Sequence, residues 1–176
     1  MGTIFVDNLE PQSGTSLTLG ASGDTLQAAS GTTNLLSNVV QFKSAQARVG
    51  ITTSSTSAVI VSTDLNITIT PKSATNKILI RYFMGWYDSL ANGRDIKATI
   101  YRDSTNLLSD AGANDNWYRW DSYRNQGSWT VQWLDSTYNS TSAITYKLYG
   151  WSGGVGEITV GSTGKFSLGE VYEIQT

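Results

Sequence analysis

From residue 38 onward the chain is a series of short period-two stretches cut by turn-forming residues, and no long 3.6-residue periodicity interrupts them. Residues 39–49 alternate loosely through Val39, Gln41, Lys43, Ala45, Ala47 and Val49. A short apolar run at 58–61 precedes the clean alternation of 65–70, which Pro71 stops because proline has no N–H for a ladder. Residues 77–84, Lys-Ile-Leu-Ile-Arg-Tyr-Phe-Met, are the most apolar stretch and predict a central strand. Further strands are predicted at 96–101, 129–133, 144–149, 158–160 and 166–174. Turn signals stand between most of them: Ala91-Asn92-Gly93, Asn125-Gln126-Gly127, Gly153-Gly154 and Gly161-Ser162-Thr163-Gly164. Short strands at this spacing predict an all-β fold, an antiparallel β-sandwich of the jelly-roll kind, over residues 38–176.

Residues 1–37 differ. They hold Asp7, Glu10 and Asp24 but no Lys or Arg, and a Ser-Gly pair recurs at Ser13-Gly14, Ser22-Gly23 and Ser30-Gly31. Leucines fall at Leu17, Leu19, Leu26 and Leu35. The pattern suggests a turn and a very short strand, repeated. Such strands bury too little apolar surface to offset about 1–2 kcal/mol of backbone entropy per residue. The segment therefore either orders by association, with copies of itself or with another protein, or is a Ser/Gly linker. The first alternative makes it a short extended attachment and oligomerisation stalk.

Two absences limit the chemistry. With no Cys, disulfides, zinc-thiolate sites and Cys nucleophiles are excluded. With no His, Ser-His-Asp triads and imidazole proton shuttles are excluded too. The formal charge of −2 argues against general nucleic-acid binding. No basic n-region precedes an apolar core, and no apolar run approaches the roughly 18 residues of a membrane span, so synthesis in a cytoplasm without membrane insertion is expected.

Aromatic crowding is the strongest functional signal. Ten aromatics fall between Trp117 and Trp151: Trp117, Tyr118, Trp120, Tyr123, Trp129, Trp133, Tyr138, Tyr146, Tyr149 and Trp151. Asn114, Asp115, Asn116, Arg119, Asp121, Arg124, Asn125 and Gln126 are interleaved. A sugar ring needs an aromatic face for its C–H surface and polar groups for its hydroxyls. Core packing or a subunit interface is the competing account, and it fits Trp129 and Trp133 best. The candidate glycan or partner contacts are Trp117, Tyr118, Arg119, Trp120, Asp121, Tyr123 and Arg124. The polar run 110–116 offers oxygen ligands without EF-hand spacing, so it is expected to be a solvated loop and no metal is assigned. Asp88, Asp95, Asp103, Asp110, Asp115, Asp121 and Asp135 include no pair singled out by spacing, and all are expected at the solvated surface. No catalytic residue, cofactor or enzymatic activity is expected.

The opening Gly2-Thr3-Ile4-Phe5-Val6-Asp7-Asn8-Leu9-Glu10, with 17–26 after it, resembles the start of many virion structural proteins of tailed bacteriophages, notably those of cyanobacteria and other aquatic hosts. Residues 65–80 look like the "strand, Thr-Pro, Ser-rich turn, Lys-Ile-Leu strand" of their C-terminal β-sandwich modules. Tyr101-Arg102-Asp103-Ser104-Thr105 is similar to their arginine-aspartate-serine hairpin. The resemblance implies a homotrimeric fibre, spike or capsid decoration protein located on the virion. Its N-terminal segment would bind other virion proteins, here through Ile4, Phe5, Val6, Leu9, Leu17, Leu19 and Leu26, and its sandwich would face outward toward host-surface polysaccharide. The short N-terminal part fits a stubby appendage or a capsid knob better than a long shaft.

Overall fold

The fold is that of a computed structural model, which describes residues 38–89, 96–108, 117–118, 126–154, 156–161 and 164–175. These belong to the second of the chain's two units, Asn38–Thr176. The attachment and oligomerisation segment expected over 1–37, with its contacts Ile4, Phe5, Val6, Leu9, Leu17, Leu19 and Leu26, lies outside the described residues.

Twelve strands are described: β1 (Val39–Ala47), β2 (Ile51–Thr53), β3 (Val59–Ile60), β4 (Ile67–Ile69), β5 (Lys77–Ser89), β6 (Ile96–Arg102), β7 (Thr105–Asn106), β8 (Trp117–Tyr118), β9 (Gln126–Asp135), β10 (Ile144–Ser152), β11 (Ile158–Val160) and β12 (Ser167–Ile174). All pair antiparallel, in two sheets of six strands each. Several short strands share a lane. In the first sheet β9 covers one edge of β5, while β12 and then β11 cover the other. The next lane holds β1 against β12 and β2 against β11. In the second sheet β10 runs between β6 and a lane made of β3 and β4, and β7 and β8 share the far edge of β6. Counted as eight lanes in chain order, the sheets read 1-8-3-6 and 2-7-4-5. That is the double Greek key of a jelly roll.

The core forms where the inner faces meet. In β5 the even positions Ile78, Ile80, Tyr82 and Met84 are buried, and in β10 Ile144, Tyr146 and Leu148 face them. Leu65 is buried from a 3-10 turn, Thr63–Leu65, capped where the Ser62 hydroxyl accepts the Asp64 N–H at 3.2 Å. The strand expected to begin at Leu65 therefore begins at Ile67, and it ends before Pro71 as expected. Asp103, with φ of 52°, turns β6 into β7, so the Arg-Asp-Ser hairpin is present. Asn125-Gln126-Gly127 is not wholly a turn. Gln126 and Gly127 belong to β9, where a Cβ at Gly127 would lie 2.8 Å from the Tyr87 hydroxyl. Close approach of a ring, rather than chain reversal, accounts for that glycine.

A crease crosses the first sheet where β1 gives way to β2 and β11 to β12. A Cβ at Gly50 would sit 2.1 Å from the Val160 carbonyl oxygen, and one at Gly85 would sit 1.9 Å from that of Phe166. Gly161 adopts φ of +71° there and donates its N–H to the Trp86 carbonyl at 2.9 Å. The β5–β9 register slips at the same level, between Met84 and Tyr87. Three lanes thus bend together, and a bulge of this kind increases local twist.

Candidate functional site

The outer face of the second sheet gathers aromatic side chains. In β10 the residues Ile144, Tyr146, Leu148, Gly150 and Ser152 point inward and are buried, so Thr145, Lys147, Tyr149 and Trp151 point outward, and all four are half-buried. In β6 the inward set is Ile96, Ala98 and Ile100, and the outward set is Lys97, Thr99 and Tyr101. The register places Lys97 beside Trp151, Thr99 beside Tyr149, and Tyr101 beside Lys147. The Tyr101 and Tyr149 rings meet on the diagonal, with centroids 4.3 Å apart and planes tilted by 37°.

Polar groups frame this row. The Thr99 hydroxyl donates to Asn106 Oδ1 at 2.6 Å, and Lys147 Nζ donates to the Asp103 carbonyl at 3.0 Å. The outward positions of β6 and β10 carry two lysines and no carboxylate. Asp103 stands in the β6–β7 turn and directs Oδ1 at the Thr145 N–H, 3.0 Å away. Thr99 itself is buried, so what the face can offer a ligand from one side is the half-buried rings and ammonium groups around it.

The expected contacts meet this face at one point. Trp117 and Tyr118 form β8, and Trp117 is the cross-strand partner of Lys97, itself the partner of Trp151. Arg119, Trp120, Asp121, Tyr123 and Arg124 lie outside the described residues, as does 110–116. The other aromatics divide. Tyr146 and Tyr138 are buried, and Trp129 packs against the core. Of the two alternatives for Trp133, core packing or a subunit interface, full core packing does not hold: it is 38% exposed on β9, an edge lane. Tyr149 and Trp151 belong to the aromatic crowding but not to the contacts expected from sequence at 117–124. The strict alternation of 144–152 was the signal that separates them from Tyr146. Tyr101 was the missed residue, because its ring partner is 48 positions away.

The carboxylates correct another expectation. Asp88 and Asp135 are buried, not solvated. Asp135 is paired with Arg102 Nη1 at 3.0 Å and accepts the Tyr146 hydroxyl at 2.9 Å and the Thr137 N–H at 2.9 Å. Burial, reinforced by the Asp135 charge, pushes the Tyr146 hydroxyl's pKa up. Glu173 is also fully buried. Its carboxylate accepts the Lys72 and Ser73 N–H groups at 2.8 and 3.2 Å, Asn76 Nδ2 at 2.7 Å, and Gln41 Nε2. Glu173, Ile78 and Asp135 occupy one cross-strand row. Both carboxylates are saturated by donors, so their chemistry is that of buried anchors. Among the described residues, no group of three or more acidic side chains could hold a metal ion.

The outer face of the first sheet is apolar instead. Phe42, Tyr172, Leu79 and Leu134 are register partners across all four lanes. Phe42 is 48% exposed and Leu134 45%, with Val39 and Val40 exposed at the same end. Phe42 and Tyr172 stack at 4.8 Å. The next row is polar, with Arg81 Nε donating to Glu170 at 2.8 Å. Against this geometry, no protein-family model matches the chain, and no curated protein matches its sequence.

Proposed function

We propose that this chain is a non-enzymatic structural protein of a tailed-bacteriophage virion, a homotrimeric tail fibre- or spike-type appendage whose β-sandwich contacts host-surface glycan. Residues 1–37 supply its attachment to other virion proteins. The observation that carries the glycan contact is the Tyr101–Tyr149 ring pair beside Trp151 on a sheet face that points away from the core. Aromatic rings with polar tips suit a half-wet surface, and a sheet holds them preorganised. The jelly-roll architecture supports the reading at fold level, since viral capsid and lectin domains use it. The Ile4-Phe5-Val6 and Lys77-Ile78-Leu79 resemblances supply the virion context.

The test is a polysaccharide array probed with the full chain. Retention on at least one polysaccharide is expected, and Trp151→Ala should reduce it about tenfold or more. Unchanged retention in that variant, with its thermal transition intact, removes the face from the contact. Trp117→Ala and Trp120→Ala test the remaining candidates in the same assay.

A second reading, capsid decoration, draws on the outward row of Phe42, Tyr172, Leu79 and Leu134, exposed at its two ends and half-buried between them. Apolar rows of this extent suit contact with another protein surface. Particles lacking a decoration protein should break at lower temperature while adsorbing normally. Particles lacking an appendage should do the reverse.

A further inference from the structure

We infer that the outer face of the second sheet binds an acidic polysaccharide, its carboxylates seated on Lys97 and Lys147 while its sugar rings lie on Tyr149, Trp151 and Tyr101. The inference rests on the glycan reading and narrows its ligand class. Charge distribution carries it. The chain as a whole is negative, with 14 acidic against 12 basic side chains. The outward positions of β6 and β10 reverse that sign, with two lysines and no Asp or Glu. No described residue forms an ion pair with either lysine. Lys147 uses one of its three N–H donors on the Asp103 carbonyl, which steadies the ammonium and leaves two donors for a ligand.

Position matters as much as sign. Lys97 is the direct cross-strand neighbour of Trp151, and Lys147 of Tyr101, so each lysine's side chain leaves the sheet about 5 Å from that of an aromatic residue. A uronic acid presents a C–H face and a carboxylate at comparable separation. A neutral glycan would leave two ammonium groups partly desolvated with nothing to pair, which disfavours it relative to an acidic one.

The experiment uses the full chain and immobilised polygalacturonate, alginate and hyaluronan. Each is paired with its carboxyl-reduced form, in which the carboxylate is a neutral alcohol, and dextran is the uncharged reference. Retention on an acidic member, at least tenfold stronger than on its reduced partner and weakening with salt, is expected. Lys97→Gln and Lys147→Gln should each weaken it about threefold, as exposed charge contacts do. Lys165→Gln, which removes an ammonium stacked on Trp86 away from this face, should change nothing. Equal retention on both members of a pair, or on dextran, overturns the acidic ligand and leaves the glycan reading in place. Acid-selective retention that both β6 and β10 lysine variants keep in full overturns the assignment to this face. No retention on any polysaccharide overturns both readings.

Discussion

Glu173 has no exposed surface, yet it is held as an anion. Burial alone would push its carboxyl group up, but hydrogen bonds from Gln41, Asn76, Ser73 and Lys72 outweigh that and hold it below the usual 4.5. Its contribution to stability is therefore complete above pH 4.5 and is lost as pH falls through the lower folded value. Glu173→Gln should lower stability at neutral pH by about 2–3 kcal/mol, since one good acceptor becomes a donor facing donors. The variant should also show a shallower loss of stability in acid, read from thermal transitions between pH 3 and 7 as a flatter curve than the parent's. None of this was legible in the sequence. Glu173 sits in the alternation of 166–174 like any surface acid. Its partners come from Gln41 and the 72–76 turn, about 100 or more positions away. Asp135 was hidden in the same way, its neutraliser Arg102 lying on the opposite sheet.

At the scale of elements, alternation did most of the work. The runs 77–84, 96–101, 144–149 and 158–160 became β5, β6, β10 and β11 because each has one face to bury. The strands that escaped, β2, β7 and β8, are two or three residues long; β7 and β8 owe their pairing to the longer β6, and β2 pairs with the equally short β11. The glycines misled in one place, since Gly127 looks like a turn and is a gap left for Tyr87. Gly50 and Gly154 make a test of the distinction. Gly50→Ala would force a methyl group against the Val160 carbonyl and should cost about 2–3 kcal/mol, read by denaturant unfolding. Nothing lies within 4 Å of the corresponding position at Gly154, so Gly154→Ala should change stability by no more than about 0.5 kcal/mol.

For the whole molecule, the two sheets present opposite characters to the outside. One shows lysines and rings, the other an apolar row from Phe42 to Leu134. The proposed trimer has a place to form on the apolar face. Light scattering of the full chain should give about three times 19.1 kDa, and Leu134→Glu should lower that mass if the row lies between copies. A variant that keeps the parent mass moves the association elsewhere in the chain. The sandwich could be anticipated from strand spacing alone, because eight short lanes with buried inner faces have few other solutions. Which outer face was sticky could not, because Phe42, Tyr172, Leu79 and Leu134 share no stretch of sequence and meet only through register.

The fold line at Gly50, Gly85 and Gly161 divides one sheet into unequal panels. Beyond it, β2 and β11 are joined through only three residues each, so that corner has few ladder bonds to break before it opens. Its amide protons should trade with solvent well ahead of those in β12 and the first half of β5, so within this sheet the rim gives way before the long central strands do.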